Sequence, residues 1–178
     1  GDWPYLHTTS DTLTKLGNEG KSNGWFFRTI TSDALQGTAA AKYAMDQGMT
    51  SLAIINVNND FGVNMLAEFR RAYEALGGKV LSTTPYNPQQ PSYAAEVTNA
   101  LKGDPPALYF IGYPGDGTTI VRTWIQQGGP QRFLLNDGMN AADFIKGVGQ
   151  QFLNNAFGTS SGTTRTASTA FFAQAYPA

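Results

Sequence analysis

Three short segments of this 178-residue chain hold residues able to do chemistry: Asn58-Asn59-Asp60-Phe61-Gly62, Gly112-Tyr113-Pro114-Gly115-Asp116-Gly117 and Asn136-Asp137-Gly138-Met139-Asn140. Each follows an apolar run, and each holds an aromatic ring, a carboxylate, or both. Phe61, Tyr113 and Asp137 brought together would suit a cationic, partly apolar ligand. Aromatic faces attract cations through their quadrupole, and an ammonium pairs with a carboxylate by charge-assisted hydrogen bonds. Each segment has a plainer reading as well. Asn59-Asp60 and Asn136-Asp137 are also turn formers and helix N-caps, and Phe61 and Tyr113 could equally pack on neighbouring helix ends.

Other chemistries find little support. Gly115-Asp116-Gly117 resembles a phosphate loop only loosely, and an Asp there would repel phosphate. Gly-x-x-x-x-Gly-Lys-Ser/Thr does not occur, and with His7 the one histidine a Ser–His–Asp hydrolase finds little support. Asp33, Asp60, Asp116 and Asp137 could in principle hold Mg²⁺ or move protons, but no motif sets a pair of them. With no cysteine, disulfides, thiolate metal sites and thiol catalysis are excluded. The expectation is a binding protein, not an enzyme, with no metal and no cofactor.

Composition narrows the setting. Twelve Lys plus Arg against thirteen Asp plus Glu give a net charge of -1, which argues against a nucleic-acid partner. Charged residues make up 14% of the chain, against roughly 25% in an average soluble domain. Gly, Ser, Thr, Asn and Gln fill the gap, as in many exported proteins. No run approaches the ~18 apolar residues of a membrane span. The chain starts Gly1-Asp2-Trp3 with no Met and no signal-like apolar stretch, which reads as a chain that has been processed or cut, a removed signal peptide being the expectation.

The three segments need a scaffold, and the pattern around them supplies one. Apolar runs at 51–57, 79–84, 107–111 and 132–135 read as strands, with a fifth starting near 155–158 and a β-type run at 25–30. Between them, 34–47, 63–76, 92–102, 118–127 and 141–148 read as helices, stopped by Gly48, Gly77-Gly78 and Gly128-Gly129. Alternating strands and helices imply a doubly wound α/β domain with a parallel sheet, expected over 25–160 with strand order 2-1-3-4-5 counted from Ser51. In such sheets ligands bind beyond the carboxyl ends of the strands, where strand order reverses. The loops after strands 1, 3 and 4 should therefore converge, bringing Phe61, Tyr113 and Asp137 to one face. The loop at 86–91 should lie to one side as a structural element.

Thr9-Ser10-Asp11-Thr12-Leu13-Thr14, Phe27-Arg28-Thr29, Ser32-Asp33-Ala34-Leu35-Gln36-Gly37 and Ala41-Lys42-Tyr43 resemble the middle of branched-chain amino-acid-type periplasmic binding proteins. Asn59-Asp60-Phe61-Gly62, Phe69, Gly77-Gly78-Lys79-Val80, Arg122 and Gly128 continue the resemblance in order. These proteins are the substrate-binding subunits of ABC importers. Their two lobes have the type I periplasmic-binding fold and clamp ligand between them. The resemblance implies that 25–160 is the second lobe, with 1–24 a remnant of the first lobe plus a hinge linker. It implies that 161–178 is a second linker and the start of the return to lobe one. It also implies site roles. Phe61 would stack over the ligand, Tyr113 would form a second aromatic wall, and Asp137 would receive an α-ammonium where branched-chain binders often carry Glu. Thr9 would help hold the α-carboxylate, and His7 lies where the family uses backbone. The implied partners are an amino-acid-like small molecule and an ABC permease. The implied location is periplasmic or extracellular, with a lipid anchor as one option. Two further readings are a sensor module on the same fold and a flavodoxin-like enzyme domain.

Overall fold

The computed structural model describes residues 31–160. The strand expected at 25–30, both flanking segments, His7 and Thr9 lie outside those residues. Within them, strands and helices alternate: α1 (Asp33–Asp46), β1 (Ser51–Val57), α2 (Asp60–Ala75), β2 (Lys79–Tyr86), α3 (Ala94–Ala100), β3 (Leu108–Ile111), α4 (Pro114–Gln126), β4 (Phe133–Leu135), α5 (Ala142–Val148) and β5 (Ala156–Gly158). Short 3₁₀ turns occupy Asp137–Met139 and Gln150–Phe152. The five strands form one parallel sheet in the order β2-β1-β3-β4-β5, as the sequence implies.

Residue alternation along the strands divides the core in two. Ala53, Ile55, Val57, Leu108, Phe110 and Phe133 face Val97, Ile120, Trp124 and Phe144 of α3, α4 and α5. Leu52, Ile54, Tyr109, Ile111 and Leu134 face Ala40, Ala44, Met65, Phe69 and Tyr73 of α1 and α2. Burial on both faces explains why β1 reads as an unbroken apolar run and not as an alternation. Phe69 sits between two rings, 4.9 Å from Tyr73 and 4.4 Å from Tyr109. The Tyr73 hydroxyl donates to the Met49 carbonyl at 2.6 Å, which anchors α2 to the turn before β1.

Two helices begin earlier than periodicity suggests. α2 starts at Asp60, three residues ahead of the expected position, because Asn59 caps it by accepting from the Gly62 N–H at 3.0 Å. Asp60 is then a first-turn residue, where a carboxylate complements the helix dipole. α4 starts at Pro114, four residues early. Proline fits the first helical position because its missing N–H would have no partner there. Gly115-Asp116-Gly117 is therefore helical and not a phosphate loop. At α1 the cap is Ser32, whose hydroxyl accepts from the Leu35 N–H at 3.3 Å, while Asp33 lies one residue inside and is buried.

Gly62 makes the abrupt β1-to-α2 turn possible. A Cβ at this position would stand 1.9 Å from the Val57 carbonyl oxygen. Gly62→Ala should therefore lower stability by about 3 kcal/mol, the upper range for overpacking, read as a fall in the urea midpoint. An unchanged midpoint would contradict this packing.

Buried tyrosines make the fold sensitive to alkali. Burial raises the Tyr73 phenol from 10.0 to about 12, and raises the Tyr86 and Tyr109 phenols as well. A phenol that holds its proton more tightly when folded contributes stability that is complete below pH 10 and lost as pH climbs through 12. The urea midpoint should hold steady up to about pH 10 and then drop as tyrosinate absorbance appears. A flat midpoint with all tyrosines titrating near pH 10 would show that these rings are accessible.

Candidate functional site

Parallel strands place all their carboxyl ends on one edge, and the residues after β1, β3 and β4 gather there. Phe61, in the first turn of α2, packs against both halves of the core and is half-buried. Tyr113, the residue before α4, is 45% exposed. Their ring centroids lie 5.9 Å apart with the planes tilted by 33°, a normal geometry for an aromatic pair. Asn59 donates to the Tyr113 hydroxyl at 3.2 Å. The two rings therefore form one partly exposed apolar wall, tied down at its polar rim.

Asn136 and Asp137 follow β4. Asn136 is buried, and its amide accepts from the Gly112 N–H at 3.0 Å and donates to the Gly112 carbonyl at 3.2 Å. This continues the β3–β4 ladder by one step through a side chain. It also fixes the residue before Tyr113 relative to the residue before Asp137. Asp137 is half-buried in the 3₁₀ turn. Its Oδ1 accepts from the Gln36 side-chain amide at 2.9 Å and, more weakly, from the Asn136 amide at 3.4 Å. The bonds that hold Asp137 thus run to α1 and to its neighbour in sequence, not to the two rings.

Gln36 is the residue that sequence reasoning missed as a partner of Asp137. Its signal was present, since Gln36, Ala40 and Ala44 share one helical stripe and all three are buried. A polar residue on an otherwise apolar stripe needs a partner inside the fold. The Gln36 amide also donates to the Thr159 hydroxyl at 3.1 Å, just past β5.

Asp116, one of the four carboxylates weighed for acid–base or Mg²⁺ chemistry, has a structural task. It accepts from the Tyr93 hydroxyl at 2.6 Å and from the Gln89 N–H at 3.2 Å, pinning the 86–91 loop. That loop also accepts from Asn58 through the Asn87 side chain at 3.0 Å. Among the described residues no group of three His, Cys, Asp or Glu could hold a metal. A cleft of about 440 Å³ opens on the β4–β5 flank, lined by Asn136, Met139, Phe144, Leu153 and Phe157 among others. It includes none of Phe61, Tyr113 and Asp137. Among the described residues no helix is long and apolar enough to cross a membrane.

Comparison with known proteins supplies the family. Residues 2–178 match the family model described as periplasmic binding protein. The chemotactic signal transduction system substrate-binding protein BasB of Halobacterium salinarum is 30% identical over 125 residues, which is 67% of this chain and 30% of that protein. The leucine binding protein LivK from Thermotoga maritima matches with a TM-score of 0.71 at 22% identity, over 85% of this chain and 45% of that one. A type 1 periplasmic binding protein from Bordetella pertussis gives 0.71 at 21% identity, over 84% and 41%. LivJ from Streptococcus pneumoniae, solved with isoleucine, gives 0.69 at 17% identity, over 89% and 47%. The chain spans less than half the length of each of these relatives. At such identities the solved structures show a shared fold, that of one lobe. The family is one of binding proteins and not of enzymes, and it implies an extracytoplasmic location. By the match over residues 2–178 and by the order of its sheet, this chain belongs to the periplasmic binding protein family.

Proposed function

We propose that the chain is the second lobe of a two-lobed solute receptor for an amino acid or a similarly small ammonium-bearing ligand. Residues 25–160 are the ligand-binding lobe in this reading, and 1–24 and 161–178 lead to the first lobe. Phe61 and Tyr113 form the apolar wall, Asp137 receives the ammonium, and Thr9 contributes to the carboxylate side. Closure of the two lobes about a hinge traps the ligand, because only the closed state contacts it from both sides. The loaded receptor then delivers it to an ABC permease outside the cytoplasmic membrane. A processed signal peptide, with or without a lipid anchor, belongs to the same reading.

One observation carries this proposal: the state of Asp137. Both bonds to Asp137 come from neutral amides and both go to Oδ1. Oδ2 accepts no hydrogen bond from a described residue. The ion pairs among the described residues are Lys42–Asp46, Arg70–Glu74 and Arg71–Glu68, all within single helices and none involving Asp137. Burial first, and then the charges of Asp137 and Asp33, raise the Tyr109 phenol. A half-buried carboxylate that the described residues orient through neutral amides suits a ligand that brings its own positive charge. Two structural relatives are a leucine binding protein and a binding protein solved with isoleucine, which agrees with an amino-acid ligand.

A second reading, chemotactic sensing, is favoured by the resemblance to BasB. It uses the same pocket and differs in the partner that reads the closed state. Loss of solute uptake on deleting the gene supports transport, and loss of the swimming response with uptake intact supports sensing.

The test of the site is a thermal-shift screen of the complete two-lobed protein against the twenty L-amino acids. A ligand at 100 times its Kd should add about 2.7 kcal/mol. For the best amino acid, Asp137→Asn should cut affinity roughly ten- to more than a hundred-fold, the effect of losing a hydrogen bond to a charged group. Phe61→Ala should lose about 0.5–2 kcal/mol of cation–π attraction. If no amino acid shifts the melting temperature, or if Asp137→Asn binds like wild type in calorimetric titration, the ammonium reading is wrong.

A further inference from the structure

The arrangement around Asp137 goes further than naming an acceptor. Gln36 is 8% exposed and sits in the first turns of α1, 101 residues away in sequence. It reaches Asp137 Oδ1 at 2.9 Å and Thr159 Oγ1 at 3.1 Å with the same side-chain nitrogen. A carboxylate oxygen can only accept, so the amide must turn its NH₂ toward Asp137. Thr159 is itself fixed, since its N–H donates to the Leu135 carbonyl at 3.2 Å. One glutamine therefore joins α1 to the exits of β4 and β5 and, in doing so, fills one oxygen of the candidate acceptor.

Resting on the reading of Asp137 as the ammonium acceptor, we infer that Gln36 is a positioning residue for ligand selection: it occupies Oδ1 without cancelling the charge and turns Oδ2, which no described residue bonds, toward the ligand. The residue type is what this task needs. A lysine or arginine at position 36 would neutralise Asp137 and take the place of the ligand's charge. A glutamate would repel it and could not donate. An apolar residue would leave both oxygens free to turn, so a carboxylate rotamer would have to be fixed at each binding event. The arrangement also sets a chemical preference. Oδ1 already accepts two N–H groups. A guanidinium wants both oxygens of a carboxylate for its fork, whereas a primary ammonium needs only one. The site is thus built for a compact ammonium, and the Gln36 amide enforces that choice.

The experiment is a double-mutant cycle on ligand affinity in the complete two-lobed protein. The probe is whichever of the twenty L-amino acids gives the largest thermal shift. Gln36→Met keeps the side-chain length and removes the donor. It should weaken binding about ten-fold in the wild-type background and less than about two-fold when Asp137 is already Asn, because residues that act through one another are not additive. Thr159→Val removes the other acceptor of the amide and should change affinity less than about two-fold. A purely structural strap would behave differently. Gln36→Met would then cost the same in both backgrounds, and Thr159→Val would reproduce it. Either result overturns the inference, as does wild-type affinity in Gln36→Met. If Gln36→Met does not fold, Gln36→Ala, which removes the donor without adding a charge, runs the same cycle. The two levels separate cleanly. Wild-type affinity in Asp137→Asn sinks the ammonium reading and this inference with it. Weak binding by Asp137→Asn with no coupling to position 36 sinks only the positioning role.

Discussion

The side chain of Asn136 bonds both the N–H and the C=O of Gly112, at 3.0 and 3.2 Å, and the geometry of the carboxyl edge follows from that pair. β3 and β4 have ended one residue earlier on each side, at Ile111 and Leu135. Backbone pairing can go no further, because the two chains must diverge into α4 and into the 3₁₀ turn. An amide side chain carries the same donor and acceptor as a peptide, so Asn136 extends the ladder while its own backbone turns away. Buried and fully used, this contact cannot be exchanged for water at no cost. Gly112 is bound to the arrangement from below as well, since a Cβ there would stand 2.2 Å from the Tyr86 hydroxyl. Tyr113 and Asp137 each follow directly in sequence, so one rigid junction sets where both candidate site residues start.

Electrostatics at this edge are arranged by neutral groups. Asn59, Gln36 and Asn136 are all amides, and each bonds a candidate site residue or the backbone beside one. Three ion pairs of the described region, Lys42–Asp46, Arg70–Glu74 and Arg71–Glu68, lie within single helices, three or four residues apart. Such pairs contribute little to stability, and none of them involves Asp137. The low charge content of the chain has a local counterpart here. Amides orient a carboxylate and a phenol here without supplying countercharge.

Strand order was legible because it depends on features that a sequence displays openly: unbroken apolar runs such as 51–57, glycine stops at 48, 77–78 and 128–129, and helix stripes such as Met65, Phe69 and Tyr73. The early starts of α2 and α4 were not, because they depend on capping and close approach. Asn59 and Asp60 are equally good caps by residue type. The fold uses Asn59, whose side chain accepts from the Gly62 N–H, and places Asp60 in the first turn. The three candidate positions were reachable from topology alone, because a parallel sheet has one carboxyl edge. What holds Asp137 was not reachable in that way. Gln36 is 101 residues distant, and nothing local to either residue announces the other.

The reach of Gln36 depends in turn on how deeply α1 sits. Gly37 lies where α1 crosses α2, and a Cβ there would stand 2.8 Å from the Phe69 backbone nitrogen. The two helices therefore touch backbone to side-chain-free backbone, and any larger residue at 37 would push α1 outward. Phe69 cannot yield, since it is held between Tyr73 and Tyr109 in the core. An outward shift of α1 of even 1 Å would stretch the 2.9 Å bond from Gln36 to Asp137 beyond hydrogen-bonding range. A glycine chosen for helix packing thus determines whether a carboxylate at the far end of the sheet is oriented. The chain of dependence runs from the stacked rings of the core, through the close crossing of α1 and α2, to the Asp137 oxygen that accepts from Gln36.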